Sequence, residues 1–183
     1  PGVFFPFFKS VHDSFTLYYY SGGEGSYMPR RQGFHTVEVP QNSYFFTVNR
    51  GDTSKVYYEA GEVVTITADP PSEAEEFNRW IGDTGNMADV YSPKTTVVMP
   101  KKNVAFSATY KTVTYNVTFK LGEHGSRTGG GQLKQTVAHG DNAMPPALVT
   151  DEEWDFSGWD KDFSNITEDL TVNAQYKESI RTH

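Results

Sequence analysis

The sequence predicts a mainly β protein, with two consecutive small all-β repeat modules preceded by an aromatic-rich β segment. Three observations predict it. Composition favours strands: aromatics make up 15% of the 183 residues, leucine is rare, and Val, Thr, Tyr and Phe carry the apolar load. A Phe-x-x-Trp motif occurs twice, as Phe77-Asn78-Arg79-Trp80 and Phe156-Ser157-Gly158-Trp159. Each copy stands between a run opened by a Gly-acid pair (Gly61-Glu62, Gly140-Asp141) and a run closed by an aromatic and a lysine (Tyr110-Lys111, Tyr176-Lys177).

The offsets make this one unit used twice. Phe77 to Phe156 and Trp80 to Trp159 are both 79 residues apart, while Tyr110 to Tyr176 and Lys111 to Lys177 are both 66. The extra residues of the first copy therefore fall after its tryptophan, where Gly82 to Asp89 reads as a Gly/Asn/Asp-rich loop. An insertion confined to a loop leaves a core intact.

Residues 1–43 match neither copy and hold ten of the 27 aromatics, among them Phe4, Phe5, Phe7 and Phe8. Val11 to Tyr20 and Phe34 to Val39 read as strands, with a turn at Ser21 to Gly25. Four phenylalanines in eight residues form an apolar patch that must be covered, by the chain's own sheet or by a partner.

The first module is expected over 44–111. Tyr44 to Val48 and Lys55 to Tyr58 read as a hairpin around Asn49-Arg50-Gly51-Asp52. Val63 to Ala68 alternates in period two until Asp69-Pro70-Pro71 stops it. Ser72 to Glu76 suits one helical turn, with Ser72 as cap and Glu75 three residues on. Thr95 to Met99 and Val104 to Tyr110 complete the strands. The second module is expected over 112–177. Tyr115 to Phe119 alternates cleanly, and Gly122 to Gly131 reads as a loop whose three final glycines suit a mobile tip. Leu133 to Val137 resumes as strand, and Ala147 to Glu153 suits a short helix. Phe156 to Trp159 and Leu170 to Tyr176 are the last strands. Residues 178–183 read as a tail.

Composition also sets limits. A net charge of −7 argues against nucleic-acid binding, which needs clustered Lys and Arg. No apolar run approaches the ~20 residues of a membrane-spanning helix. The absence of cysteine points away from a small secreted animal domain and toward a bacterial, phage or cytosolic protein.

Few residues invite chemistry. The Phe77/Trp80 and Phe156/Trp159 pairs suit a carbohydrate-stacking platform, but a large aromatic that recurs at one internal position is more simply a module's core. Trp154 lies outside the recurring pair and is the better candidate for an exposed contact. Arg50-Gly51-Asp52 matches the integrin-recognition tripeptide, but three residues match by chance often and Asn-Arg-Gly-Asp is ordinary hairpin chemistry. Asp151, Glu152, Glu153, Asp155, Asp160 and Asp162 concentrate negative charge without the spacing of a calcium loop. The histidines at 12, 35, 124, 139 and 183 are scattered, which disfavours a zinc site. Neither a Gly-x-Ser-x-Gly elbow nor a phosphate loop is present. No catalytic residue, cofactor or metal site is assigned.

These residues resemble the Listeria–Bacteroides repeat family, the internalin-type B repeats. The second module is similar to the ordinary form: Tyr115-x-Val-x-Phe119, Gln135-x-Val137-x-x-Gly140, Phe156-x-Gly-Trp159 and Thr171-Val-x-Ala174-x-Tyr176. The first is similar to the divergent form: Gly61 to Ala68, Phe77-x-x-Trp80-x-Gly-Asp83, and Met99-Pro100-x-x-Asn103-Val104 to Tyr110. The resemblance covers 44–177 and implies β-grasp-like or all-β modules strung along extracellular bacterial proteins and some phage proteins. Such modules serve as spacers, stalks and adhesion or partner-binding units, with no known active site.

The leading expectation is a non-enzymatic structural or adhesive region at the bacterial cell surface. The alternatives are a virion component (tail, fibre or capsid decoration) and a self-assembling filament subunit. The expected partner is a protein or a second copy, engaged through residues 1–43, with carbohydrate as a further ligand class.

Overall fold

The computed structural model describes residues 9–11, 14–20 and 35–180. Phe4, Phe5, Phe7, Phe8 and the expected turn at Ser21 to Gly25 lie outside them. The expected strand from Val11 to Tyr20 is instead two strands, β1 (Lys9–Val11) and β2 (Ser14–Tyr20), paired antiparallel. The third, β3 (His35–Val39), runs parallel to β2.

The chain divides into two compact units. One comprises the described residues up to Asp69 with Phe77–Thr109, and the other Pro70–Glu76 with the described residues from Tyr110 on.

In the first unit, β4 (Ser43–Asn49) pairs antiparallel with β6 (Tyr57–Glu59) and parallel with β10 (Val104–Thr112). β8 (Glu75–Gly82) flanks β10 on the far side. A second sheet has β7 (Val63–Ala68) between β5 (Gly51–Thr53) and β9 (Lys94–Val98), antiparallel to both. β7 follows its period-two pattern strictly, with Val64, Ile66 and Ala68 buried and Val63 and Thr65 exposed. On the other sheet Phe46, Tyr58 and Phe106 are buried together: the Phe46 ring lies 5.0 Å from Phe106 and 5.4 Å edge-on from Tyr58. Burying side chains of this size stabilises by roughly 1.5–3 kcal/mol each.

The second unit repeats the pattern. β11 (Thr114–Lys120) pairs antiparallel with β13 (Lys134–Ala138) and parallel with β16 (Leu170–Glu178), and β15 (Trp154–Trp159) flanks β16 antiparallel. Among the described residues a second sheet holds only β12 (Gly125–Gly130) and β14 (Pro146–Thr150). Val117, Phe119, Val137, Ala143, Ile166 and Val172 form the core, with Tyr115, Trp159, Phe163 and Leu170 packed against it.

Both sheets of four thus have the first and last strands of the module side by side at the centre and parallel. Counterparts follow in order: β4 and β11, β5 and β12, β6 and β13, β7 and β14, β8 and β15, β10 and β16. Among the described residues, only the first unit has β9 and a short 3-10 turn at Thr84–Asn86, both after Trp80. The insertion located by the offsets is a strand as well as a loop.

Four local expectations are corrected. Strands β4 and β6 do pair, but the chain between them is no tight hairpin. At Arg50 (φ +53°) it leaves one sheet, and Gly51–Thr53 joins the other. Residues 72–75 form a turn, closed by the Glu75 N–H on the Ser72 carbonyl at 3.1 Å, and strand begins at once. Ala147 to Thr150 is strand, held by antiparallel pairing with Gly125–Gly130, and once paired it leaves Leu148 and Thr150 half-buried and Ala147 and Val149 exposed. Gly125 to Gly130 is also strand. Its glycines admit the close approach of β14, since a Cβ at Gly130 would lie 2.7 Å from the Ala147 nitrogen.

Candidate interaction surfaces

The Phe-x-x-Trp spacing is odd for a strand, where residues three apart face opposite sides. In β15 a bulge resolves this. Phe156 lies opposite Tyr176 and Trp159 opposite Ala174, so Ser157 is the extra residue and both aromatics share a face. Their rings are 5.3 Å apart, edge-on, and Trp159 meets Phe119 of the core at 5.0 Å. In the first unit Phe77 and Trp80 lie 5.9 Å apart. Trp80 is 1% exposed, and its indole N–H donates to the Ser92 carbonyl at 3.0 Å. The tryptophans are the anchors expected of a recurring core residue. Phe156, at 37% exposure, sits at the rim.

Trp154 is half-buried rather than open. His124 stacks on it at 3.9 Å and 14°, and itself meets Tyr176 edge-on at 5.8 Å. The His124 Nδ1 lies 3.6 Å from the Asp151 carboxylate. The Tyr176 hydroxyl donates to the Leu121 carbonyl, and burial pushes its pKa up, with Asp151 adding to the effect.

Arg50-Gly51-Asp52 is structural at its centre. A Cβ on Gly51 would lie 2.8 Å from both the Thr67 carbonyl oxygen and the Trp80 ring, so the tryptophan packs directly against this turn. Arg50 and Asp52 are exposed, and the Asp52 carboxylate accepts the Thr53 N–H at 2.7 Å. Gly51 and Asp52 line a groove of about 520 Å³ with Phe45, Val56, Asp83 and Asn103 among its other walls. Several of the groove's polar groups already have partners: Asn103 Oδ1 accepts the Phe45 N–H at 2.9 Å, and Asp83 binds Lys102 and the Ala105 N–H.

The acidic stretch is used locally. Asp160 accepts two bonds from Asn173, and Asp162 takes the N–H and hydroxyl of Ser164, which hold both carboxyls below their ordinary range. Among the described residues no group of three or more His, Asp or Glu side chains forms a metal-binding cluster. His139 pairs with Tyr115 (3.3 Å between Nδ1 and the hydroxyl), apart from His124. Arg50–Asp52 lie in the first unit and Trp154 in the second. Sequence reasoning missed the Gln135 side chain, which brackets Met144 by bonding both its N–H and its carbonyl, at 2.9 and 2.6 Å. It also missed that Asp83 and Asp160, three residues beyond Trp80 and one beyond Trp159, each accept two bonds from around their module's last strand.

No helix among the described residues is long and apolar enough to cross a membrane. No curated protein and no solved structure gives a significant match to the chain. Two family models do match, and they abut: the Divergent InlB B-repeat domain over residues 39–114 and the Listeria-Bacteroides repeat domain over 115–181. Residues 39–181 therefore belong to the Listeria–Bacteroides, or InlB-type, B-repeat family, as one divergent copy followed by one ordinary copy.

Proposed function

We propose that this chain is a structural and adhesive stretch of an extracellular bacterial protein, a spacer whose modules also present surfaces to partners. We place the modules at 44–111 and 112–177, behind the aromatic-rich segment 1–43. One observation carries the reading: two modules of the same family follow one another and share one strand order, each closed around its own tryptophan. Repeats of this kind work by geometry, since stable units set reach and orientation. The central parallel pairing of first and last strands in both modules supports a β-grasp-like description. Among the described residues, His124 stacks on Trp154, Asp52 caps Thr53 and Asp83 pairs with Lys102, which suits a binding or spacing role without chemistry.

Light scattering on the full chain, beside a version that begins at Val37, tests this. Two monomers are expected. Val37 is the chosen start because Val39 and Ser43 are buried and the family match opens at 39. A ring or filament formed by the full chain alone would replace the spacer reading with assembly through the N-terminal segment, as in a virion or filament subunit.

A further inference from the structure

The second module is the first with one strand missing. In the first, β7 has neighbours on both sides, β5 and β9. Its counterpart β14 pairs with β12 alone, and among the described residues positions 147–150 make no backbone hydrogen bond outside that ladder. The reason lies in the chain: ten residues (160–169) separate Trp159 from β16, against 23 (81–103) between Trp80 and β10. The shorter link folds back on the core through Phe163 and Ile166, and leaves nothing for the edge.

Burial records the difference. Val64, Ile66 and Ala68 of β7 are 2%, 0% and 9% exposed, whereas Leu148 and Thr150 of β14 are only half-buried and Val149 is 54% exposed. Trp80 is sealed by the segment that leads into β9, its backbone N–H on the Val90 carbonyl at 2.8 Å, while Trp159 stays half-buried. An unpaired strand edge presents a row of donors and acceptors that an extended segment can complete.

We propose that the outer edge of β14 accepts a strand from another protein: an extended, basic segment with β-branched residues at alternate positions. The first module shows the shape required. β9 (Lys94–Val98) turns Thr95 and Val97 inward, at 7% and 0% exposure, and its lysine outward. Charge selects the partner. Residues 115–181 carry eleven acidic and six basic side chains, and Asp151-Glu152-Glu153 directly follow β14. A second copy would bring the same sign, whereas a basic strand meets its complement. This deepens the partner-binding half of the proposed function, and it can fail while a monomeric spacer stands.

The test is amide exchange on the full chain with a synthetic peptide, Lys-Lys-Thr-Thr-Val-Val-Lys, and a control with glutamate in place of each lysine. The lysine peptide should raise protection of alternate β14 amides at least tenfold, and added salt should weaken its binding. The control should do neither. Val149→Lys, at an exposed position outside the core, should weaken the lysine peptide at least fivefold with the thermal midpoint unchanged. No gain in protection, equal gain from both peptides, or indifference to Val149→Lys overturns the proposal. Protection that rises with protein concentration alone also overturns it, because a second copy would then fill the edge.

Discussion

Asn173 holds the carboxylate of Asp160 with two bonds, its backbone N–H on Oδ1 and its side-chain amide on Oδ2, each 2.6 Å. Asp83 does the equivalent in the first module, accepting the Ala105 N–H at 3.0 Å and pairing with Lys102 at 2.6 Å. Each aspartate follows the module's tryptophan and ties the end of that strand to the last one, at Ala105 near the start of β10 and at Asn173, the fourth residue of β16. The two modules thus share a clasp as well as a strand order, although the aspartates stand three residues beyond Trp80 and one beyond Trp159.

The clasps predict an acid limb in stability. Lys102 and then the Ala105 N–H hold the Asp83 carboxyl below its ordinary 3.8, and the Asn173 side chain and then its N–H do so for Asp160. A carboxyl depressed in the folded chain contributes stability above its unfolded value and loses it as pH falls through the folded one. The thermal midpoint should be steady from about pH 7 to 5 and fall below about pH 4. The double variant Asp83→Asn, Asp160→Asn should start from a lower midpoint at neutral pH and show a shallower fall. Thermal unfolding scanned against pH checks this, and an unchanged acid limb would assign it to other carboxyls.

Gly51→Ala should destabilise the first module by about 1–3 kcal/mol, the cost of overpacking against a fixed carbonyl and a buried ring. Asp52→Glu should leave urea unfolding unchanged, since that side chain is exposed. It should also leave cell attachment unchanged if the Arg-Gly-Asp tripeptide is a turn and nothing more. Loss of attachment on Asp52→Glu, with unfolding intact, would restore the recognition reading.

The two tryptophans should differ in cost. Trp80 is 1% exposed and its indole bond to Ser92 would be lost on truncation, so Trp80→Ala should cost about 3–5 kcal/mol. Trp159 is half-buried and should cost less on the same change. Equal losses by urea unfolding would mean that the segment before β9 adds nothing to the first module's core.

The repeat was legible because its signals are side-chain periodic. Val64, Ile66 and Ala68 advertise a strand, and Trp80 and Trp159 mark one position twice. What was hidden depends on partners far along the chain. Ala147 to Glu153 carries a short apolar run with no decisive period, and pairing with β12 made its first part strand. Nothing local in Gly51 states that Trp80 packs on it, 29 residues later. The bulge that puts Phe156 and Trp159 on one face was visible only as their odd spacing. The Asp160 clasp had a signal in its recurrence after each tryptophan, but an acidic neighbourhood masked it.

The glycine run at 129–131 separates a mobile tip from a packed strand, because two of its members make opposite predictions. A Cβ at Gly131 would lie 1.8 Å from the Met144 carbonyl oxygen and 2.7 Å from its carbon. That carbonyl cannot step aside, since Gln135 grips Met144 at both its N–H and its oxygen, and the Gly131 N–H is itself bonded to Pro145 at 3.0 Å. Gly131→Ala should therefore cost about 1–3 kcal/mol or more, by urea unfolding of the full chain. Gly129 has nothing within 4 Å of its would-be Cβ and is not among the glycines with positive φ. Gly129→Ala should be neutral or stabilise by about 0.4–1 kcal/mol, through the unfolded chain's lost freedom. In a mobile tip the two substitutions would have the same small effect. A difference of more than about 1 kcal/mol between them, with Gly131→Ala the worse, is what a strand packed against its neighbour requires.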